Sequence, residues 1–149
     1  RYPVAPPPAD PVALPTSHLD LLDRPLTAAF STVMPDGSAQ TQPVWCGRDG
    51  DVVVVSTTLE RRKGRNLVAD PRATLLVIDP ADGSRWMEIR ADAELVTEGA
   101  VAVLDQLTAD YTGLPHYYGG VAPADLADRE TRVTVRLRPQ RIVCDAIHR

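Results

Sequence analysis

Six stretches of this chain carry strand-like patterning, and two carry helical periodicity between them. Leu26 to Met34 alternates apolar and polar positions around Phe30 and Val33, as a half-buried strand does. Pro35-Asp36-Gly37-Ser38 then supplies turn chemistry: proline presets φ and glycine accepts a positive φ. Ala39 to Gly47 returns as a second strand, and Asp49-Gly50 marks another tight turn. The third strand, Asp51 to Ser56, holds the β-branched run Val52-Val53-Val54-Val55. The period changes over Leu59 to Asp70, which reads as a helix stopped by Pro71, with Thr57 and Glu60 as a capping box. Arg72 to Asp79 and Ser84 to Val96 are the fourth and fifth strands, joined by the turn Pro80-Ala81-Asp82-Gly83. A helix over 97–112 places Val101, Leu104, Leu107 and Tyr111 on one stripe. Residues 113–130 are rich in glycine and proline, and Thr131 to Ala146 forms the sixth strand, interrupted by Pro139.

Short connections between successive strands imply antiparallel pairing. Six antiparallel strands with peripheral helices predict a mostly β protein, a small closed or partly closed barrel. Residues 1–15 hold six prolines and read as an extended tail outside a single domain at 16–149. A short helix over 17–23 is expected after it, with Ser17 as its cap.

Composition narrows the classes. The formal net charge is −4, which argues against a protein that coats nucleic acid. No run of 18 apolar residues exists, so no membrane-spanning helix is expected. The N-terminus lacks the basic and apolar regions of a signal peptide. Cys46 and Cys144 lie far apart in strand-like sequence and fit no metal-ligand spacing; two buried, reduced thiols in a cytoplasmic protein is the expectation. No metal-ligand cluster, P-loop or serine-hydrolase signature is present.

One segment concentrates chemistry. Residues 56–66 read Ser-Thr-Thr-Leu-Glu-Arg-Arg-Lys-Gly-Arg-Asn. Hydroxyls leave a strand and four basic residues crowd the start of a helix, where the helix dipole ordinarily disfavours positive charge. An anion bound there reverses that preference, because backbone N–H groups, hydroxyls and cations then converge on it. A solvated basic helix face is the competing reading. The chain contains fifteen arginines but one lysine, Lys63, and one asparagine, Asn66, and these two share a helix face. Gly64 between them suits a close backbone approach.

Asp36-Gly37-x-x-Gln40, Pro43-Val44-Trp45, Ser56-Thr57, Arg61-x-Lys63-x-Arg65-Asn66-Leu67 and Asp70-Pro71-Arg72 together resemble the pyridoxamine 5′-phosphate oxidase-like split-barrel family. The closer likeness is to its actinobacterial branch that uses the deazaflavin coenzyme F420. The resemblance runs from about Leu19 to Ile147 and is most specific between Lys63 and Arg72. It implies a six-stranded FMN-binding-type split barrel that dimerises, with a flavin-type cofactor at the subunit interface. Carried over by position, Ser56 and Thr57 line a phosphate site, and Arg61, Lys63 and Asn66 bind the phosphate. Gln40, Gln42 and Pro43 approach the ring system. Trp86 flanks the ring or the substrate pocket, or else serves as a core or interface aromatic. Ala91 stands where the family often has glycine, which leaves the local backbone there open.

The implied activity is an oxidoreductase passing hydride from reduced F420 to a small unsaturated organic substrate. An FMN-dependent enzyme on the same scaffold and a non-catalytic F420, FMN or haem binder are the alternatives. Substrate protonation falls to solvent or to Tyr111, His116, Tyr117 or Tyr118, if the loop at 113–130 folds over the pocket.

Overall fold

The computed structural model describes residues 10–146. Seven strands, β1 (Ala28–Val33), β2 (Ala39–Val44), β3 (Gly47–Asp49), β4 (Val52–Thr58), β5 (Arg72–Asp79), β6 (Asp82–Val96) and β7 (Arg132–Cys144), form one sheet. All pairings are antiparallel, in the order β2-β1-β5-β6-β7-β4-β3. Three helices accompany them: α1 (Asp20–Asp23), α2 (Arg62–Ala69) and α3 (Ala100–Thr112).

The order contains its own closure argument. β2 and β3 are the opposite edges of the sheet, yet only Trp45 and Cys46 separate them in the chain. Three residue steps span at most about 11 Å. Seven flat strands spaced about 4.8 Å apart would hold those edges about 29 Å apart. The sheet therefore curls into a barrel whose two edges meet at a seam. Phe30, Leu75, Met87, Ile89, Val53, Val55, Val135 and Leu137 fill its interior, each at most 1% exposed.

Tyr111, on the last turn of α3, ties the seam. Its hydroxyl donates to the Leu26 carbonyl at 2.6 Å and accepts from the Cys46 N–H at 3.0 Å. Its ring stacks on Trp45, with centroids 5.3 Å apart and planes at 19°. Burial pushes this phenol well above its ordinary range.

The strand count is seven rather than six. The second expected strand, 39–47, breaks at Trp45-Cys46 because the chain crosses there from one edge to the other. Gly47–Asp49 then starts a separate hairpin, and Gly50 at φ 60° makes its tight turn to β4. One expected cap and one expected stripe also differ. Ser17 Oγ contacts the Nδ1 of its neighbour His18 at 2.8 Å, and the expected helix divides into a 3-10 turn (Thr16–His18) and α1. On α3, Ala100 replaces Val101 in the buried stripe, and Val101 is 46% exposed.

Pro139 does not interrupt β7. The register shifts between Arg90 and Ala91, opposite Pro139, so the proline sits at a bulge where no ladder N–H is needed. The Pro139 carbonyl accepts from the Val12 N–H at 2.8 Å, and Leu14 is buried in the core. The tail expected over 1–15 thus packs on the barrel at residues 12–14, and its residues 1–9 lie outside the described residues. Both cysteines are free; Cys46 is buried, and Cys144 is half-buried rather than buried. Burial pushes the Cys46 thiol up to about 11.

Tyr111→Phe should lower unfolding stability by about 1–3 kcal/mol, because it leaves the Cys46 N–H and the Leu26 carbonyl without their partner. Urea unfolding measures this; an unchanged midpoint would show that the seam closes without the hydroxyl.

Candidate functional site

A cleft of about 370 Å³ lies on the outer side of the barrel, between α3, the start of α2 and the loop before β7. The strand alternation sets what reaches it. Along β4, Val53, Val55 and Thr57 face inward, so Ser56 faces outward and lines the cleft. Along β7 the same rule sends Arg132 outward, and the register places it across from Thr58. The Arg132 guanidinium comes within 3.4 Å of the Ser56 hydroxyl.

Three cations line this cleft: Arg61, Lys63 and Arg132. Arg132 is the deepest, with its side chain 4% exposed. It donates to the Tyr118 hydroxyl at 3.0 Å and to Glu130 at 3.2 Å, and its guanidinium carbon lies 5.1 Å from the Tyr117 ring centroid. Arg61 also pairs with Glu130, at 3.6 Å. Lys63 has no carboxylate partner among the described residues; its ammonium donates to Gln42 Oε1 at 3.2 Å. Burial, followed by the charges of Arg61 and Arg132, pushes Lys63 below its ordinary value. Two cations therefore face the cleft in excess of its carboxylate, and a bound anion would offset that repulsion.

The start of α2 is held by contacts other than the expected capping box. The Arg61 N–H donates to Thr58 Oγ1 at 3.2 Å, and Glu60 accepts from the Thr131 N–H at 2.7 Å. Helix α2 begins at Arg62 rather than Leu59, since 59–61 turn the chain off the strand. Gly64 fits the expected close approach: a Cβ there would overlap the Thr58 carbonyl oxygen.

The other expected site residues divide. Pro43 lines the cleft, and Gln42 reaches it through Lys63. Thr57 points into the barrel, fully buried, with no hydrogen-bond partner for its hydroxyl. Asn66 shares a helix face with Lys63 but packs inward, 2% exposed, and donates to Thr32 Oγ1 at 3.0 Å. Thr32 in turn donates to Gln40 at 3.2 Å, so Asn66 and Gln40 anchor α2 to β1 and β2 outside the cleft lining. Trp86 lies on β6 opposite Ile78, away from the cleft, and its backbone N–H donates to Asp145 Oδ1.

Trp45 and Arg132 line the cleft and were not among the expected site residues. Arg132 carried a signal in the alternating run Arg132-Val133-Thr134-Val135, but its value depended on knowing that β7 pairs with β4. From the expected lid, Tyr117 and Val121 reach the cleft. Asp105 holds the loop to α3 through the Tyr117 N–H at 2.9 Å.

The family model for pyridoxamine 5′-phosphate oxidase matches residues 14–143. The chain belongs to that family. Among solved structures, an F420 reductase is 34% identical, with 87% of this chain and 98% of that chain covered and a TM-score of 0.73. The conserved hypothetical protein Rv2991 from Mycobacterium tuberculosis is 23% identical over 94% of this chain and 89% of its own, with a TM-score of 0.68. A heme binding protein from Mycobacterium smegmatis is 21% identical over 93% of this chain and 57% of its own, with a TM-score of 0.61. The latter two show a shared fold. No curated protein matches the chain.

For a member of this family, the donor set of the cleft suits a phosphate-type anion: one hydroxyl, two guanidinium groups and an ammonium lacking a carboxylate. No helix among the described residues is long and apolar enough to cross a membrane.

Gly64→Ala should displace the first turn of α2 and destabilise the fold by about 1–3 kcal/mol, the scale of overpacking against backbone. Thermal unfolding checks this, and a variant as stable as the parent would mean that α2 shifts freely.

Proposed function

We propose that this chain is an F420-dependent oxidoreductase, a reductase passing hydride between reduced coenzyme F420 and a small unsaturated organic substrate. The observation that carries the reading is Lys63, a half-buried ammonium that faces the cleft with no carboxylate partner among the described residues. The 34% identity to an F420 reductase, over nearly all of that chain, supports the choice of cofactor.

Lys63, Arg61, Arg132 and Ser56 would hold the phosphate of the coenzyme. Gln42 orients Lys63, and the Asn66–Thr32–Gln40 chain fixes α2 behind it. Pro43, Trp45 and Tyr117 wall the cleft and exclude water from a planar ring. The hydride chemistry is supplied by the bound deazaflavin, while the protein contributes orientation and electrostatics. Of the four residues considered as proton donors, Tyr117 lines the cleft, whereas the Tyr111 hydroxyl donates to Leu26 and that of Tyr118 to Glu130. His116 pairs with Asp105 at the surface. The substrate proton comes from Tyr117 or from solvent.

Lys63→Ala should weaken F420 binding by about 1.5–3 kcal/mol, the range for a lost charged hydrogen bond. Fluorescence titration measures it. In the parent, affinity should fall as pH rises and Lys63 loses its proton, beginning below the usual lysine range, and the variant should lack this step. Unchanged affinity for both F420 and FMN removes the site assignment. Binding of FMN without F420 turns the assignment to an FMN enzyme. Tight F420 binding without acceptor-dependent oxidation makes the protein a carrier.

We also propose that the chain forms a homodimer with the cofactor site at the interface. The outward face of β2, β1, β5 and β6 supports this: Pro43, Ala29 and Leu76 form one cross-strand row, flanked by the Ile78–Trp86 pair. Ile78 is 46% exposed. Light scattering should give twice the 16.2 kDa chain mass, and Ile78→Glu should reduce it to the single-chain value. A parent protein that runs at 16.2 kDa contradicts the dimer.

A further inference from the structure

We propose that Glu130 is a built-in counter-anion of the cleft, holding Arg61 and Arg132 until an external anion replaces it. This rests on reading the cleft as an anion site. The Glu130 carboxylate uses both oxygens: Oε1 lies 3.6 Å from Arg61, and Oε2 lies 3.2 Å from Arg132. Oε2 also accepts from the Tyr118 hydroxyl at 2.7 Å. The side chain is 17% exposed, so its charge is weakly screened.

Charge and position make it a competitor rather than a ligand-positioning group. A carboxylate on the arginines occupies the donors that a phosphate would use. It also repels any anion that arrives beside it, in proportion to that anion's charge. Lys63 is left open, so it gives an incoming anion its first partner, and the two arginines are won from Glu130 afterwards. When the anion leaves, Glu130 takes them back, and Arg132 is not stranded as an unpaired buried charge.

The exchange reaches the loop. Tyr118 bonds both Glu130 and Arg132, and the Arg132 guanidinium also lies against the Tyr117 ring in the cleft wall. Glu130 thereby links occupancy of the cleft to the segment that carries Tyr117.

The test compares the parent, Glu130→Gln and Tyr118→Phe by NMR titration with inorganic phosphate and with acetate at low salt. Glu130→Gln should bind phosphate roughly tenfold more tightly and gain less for acetate, because the repulsion removed scales with ligand charge. Tyr118→Phe keeps the carboxylate and should stay within about twofold of the parent, well short of the tenfold scale of a removed charge. Phosphate affinity that is unchanged or weaker in Glu130→Gln overturns the proposal, since Glu130 would then position the arginines for ligand. An equal gain in Tyr118→Phe overturns it too, by making loop loosening the cause. If none of the three proteins binds phosphate, the anion-site reading fails and this proposal with it.

Discussion

The structure depends on one short covalent constraint. Trp45 and Cys46 join opposite edges of a seven-stranded sheet, and a two-residue link cannot reach across a flat one. Curling follows, and with it an enclosed apolar interior. The seam that results is where polar chemistry gathers. Pro43 and Trp45 arrive there from one edge, and Ser56 and Arg132 lie on the outer face near the other. Helix α3 lies over the junction, and one tyrosine hydroxyl serves both the edge link and the strand entry at Leu26. Closure of the barrel and construction of the cleft are thus one event.

Within the cleft the governing quantity is charge balance. Three cations approach one another across two strand ends and a helix start, against a single carboxylate. Gathering like charges in a half-buried space costs free energy unless an anion offsets it. Most of the remaining surface cations pair with neighbouring acids, as Arg48 does with Asp23 and Arg72 with Asp70. Lys63, like Arg62 and Arg65 on the same helix, has no carboxylate partner among the described residues, but of these three it alone lines the cleft.

The fold class and most element positions were legible in the sequence because they follow from local periodicity and turn chemistry; the family was legible through the resemblance of the motifs between Asp36 and Arg72. The strand pattern around Phe30, the valine run of β4 and the Gly113 end of α3 depend on near neighbours alone, whereas α3 starts at Ala100, after Gly99, rather than at the expected Thr97. Caps were less legible, since Thr58 and Glu60 bond to whatever the tertiary structure brings near. The split of the second strand was not legible: Ala39 to Gly47 alternates acceptably throughout, and only the pairing of Gly47–Asp49 with β4 shows that the chain has changed edges.

The candidate site divides along the same line. By itself the sequence determined that hydroxyls and basic residues meet between β4 and α2, and that Gly64 permits close contact there, because these residues are neighbours in the chain. The tertiary structure decided which of them face one another. Ser56 and Thr57 are adjacent, yet strand alternation sends one to the cleft and the other into the core. Lys63 and Asn66 share a helix face, yet one meets Gln42 at the cleft and the other is buried against Thr32. Arg132, distant in sequence, joins the cluster because β7 pairs with β4. Periodicity fixes the side of an element on which a residue lies; only the packing of elements determines what lies opposite.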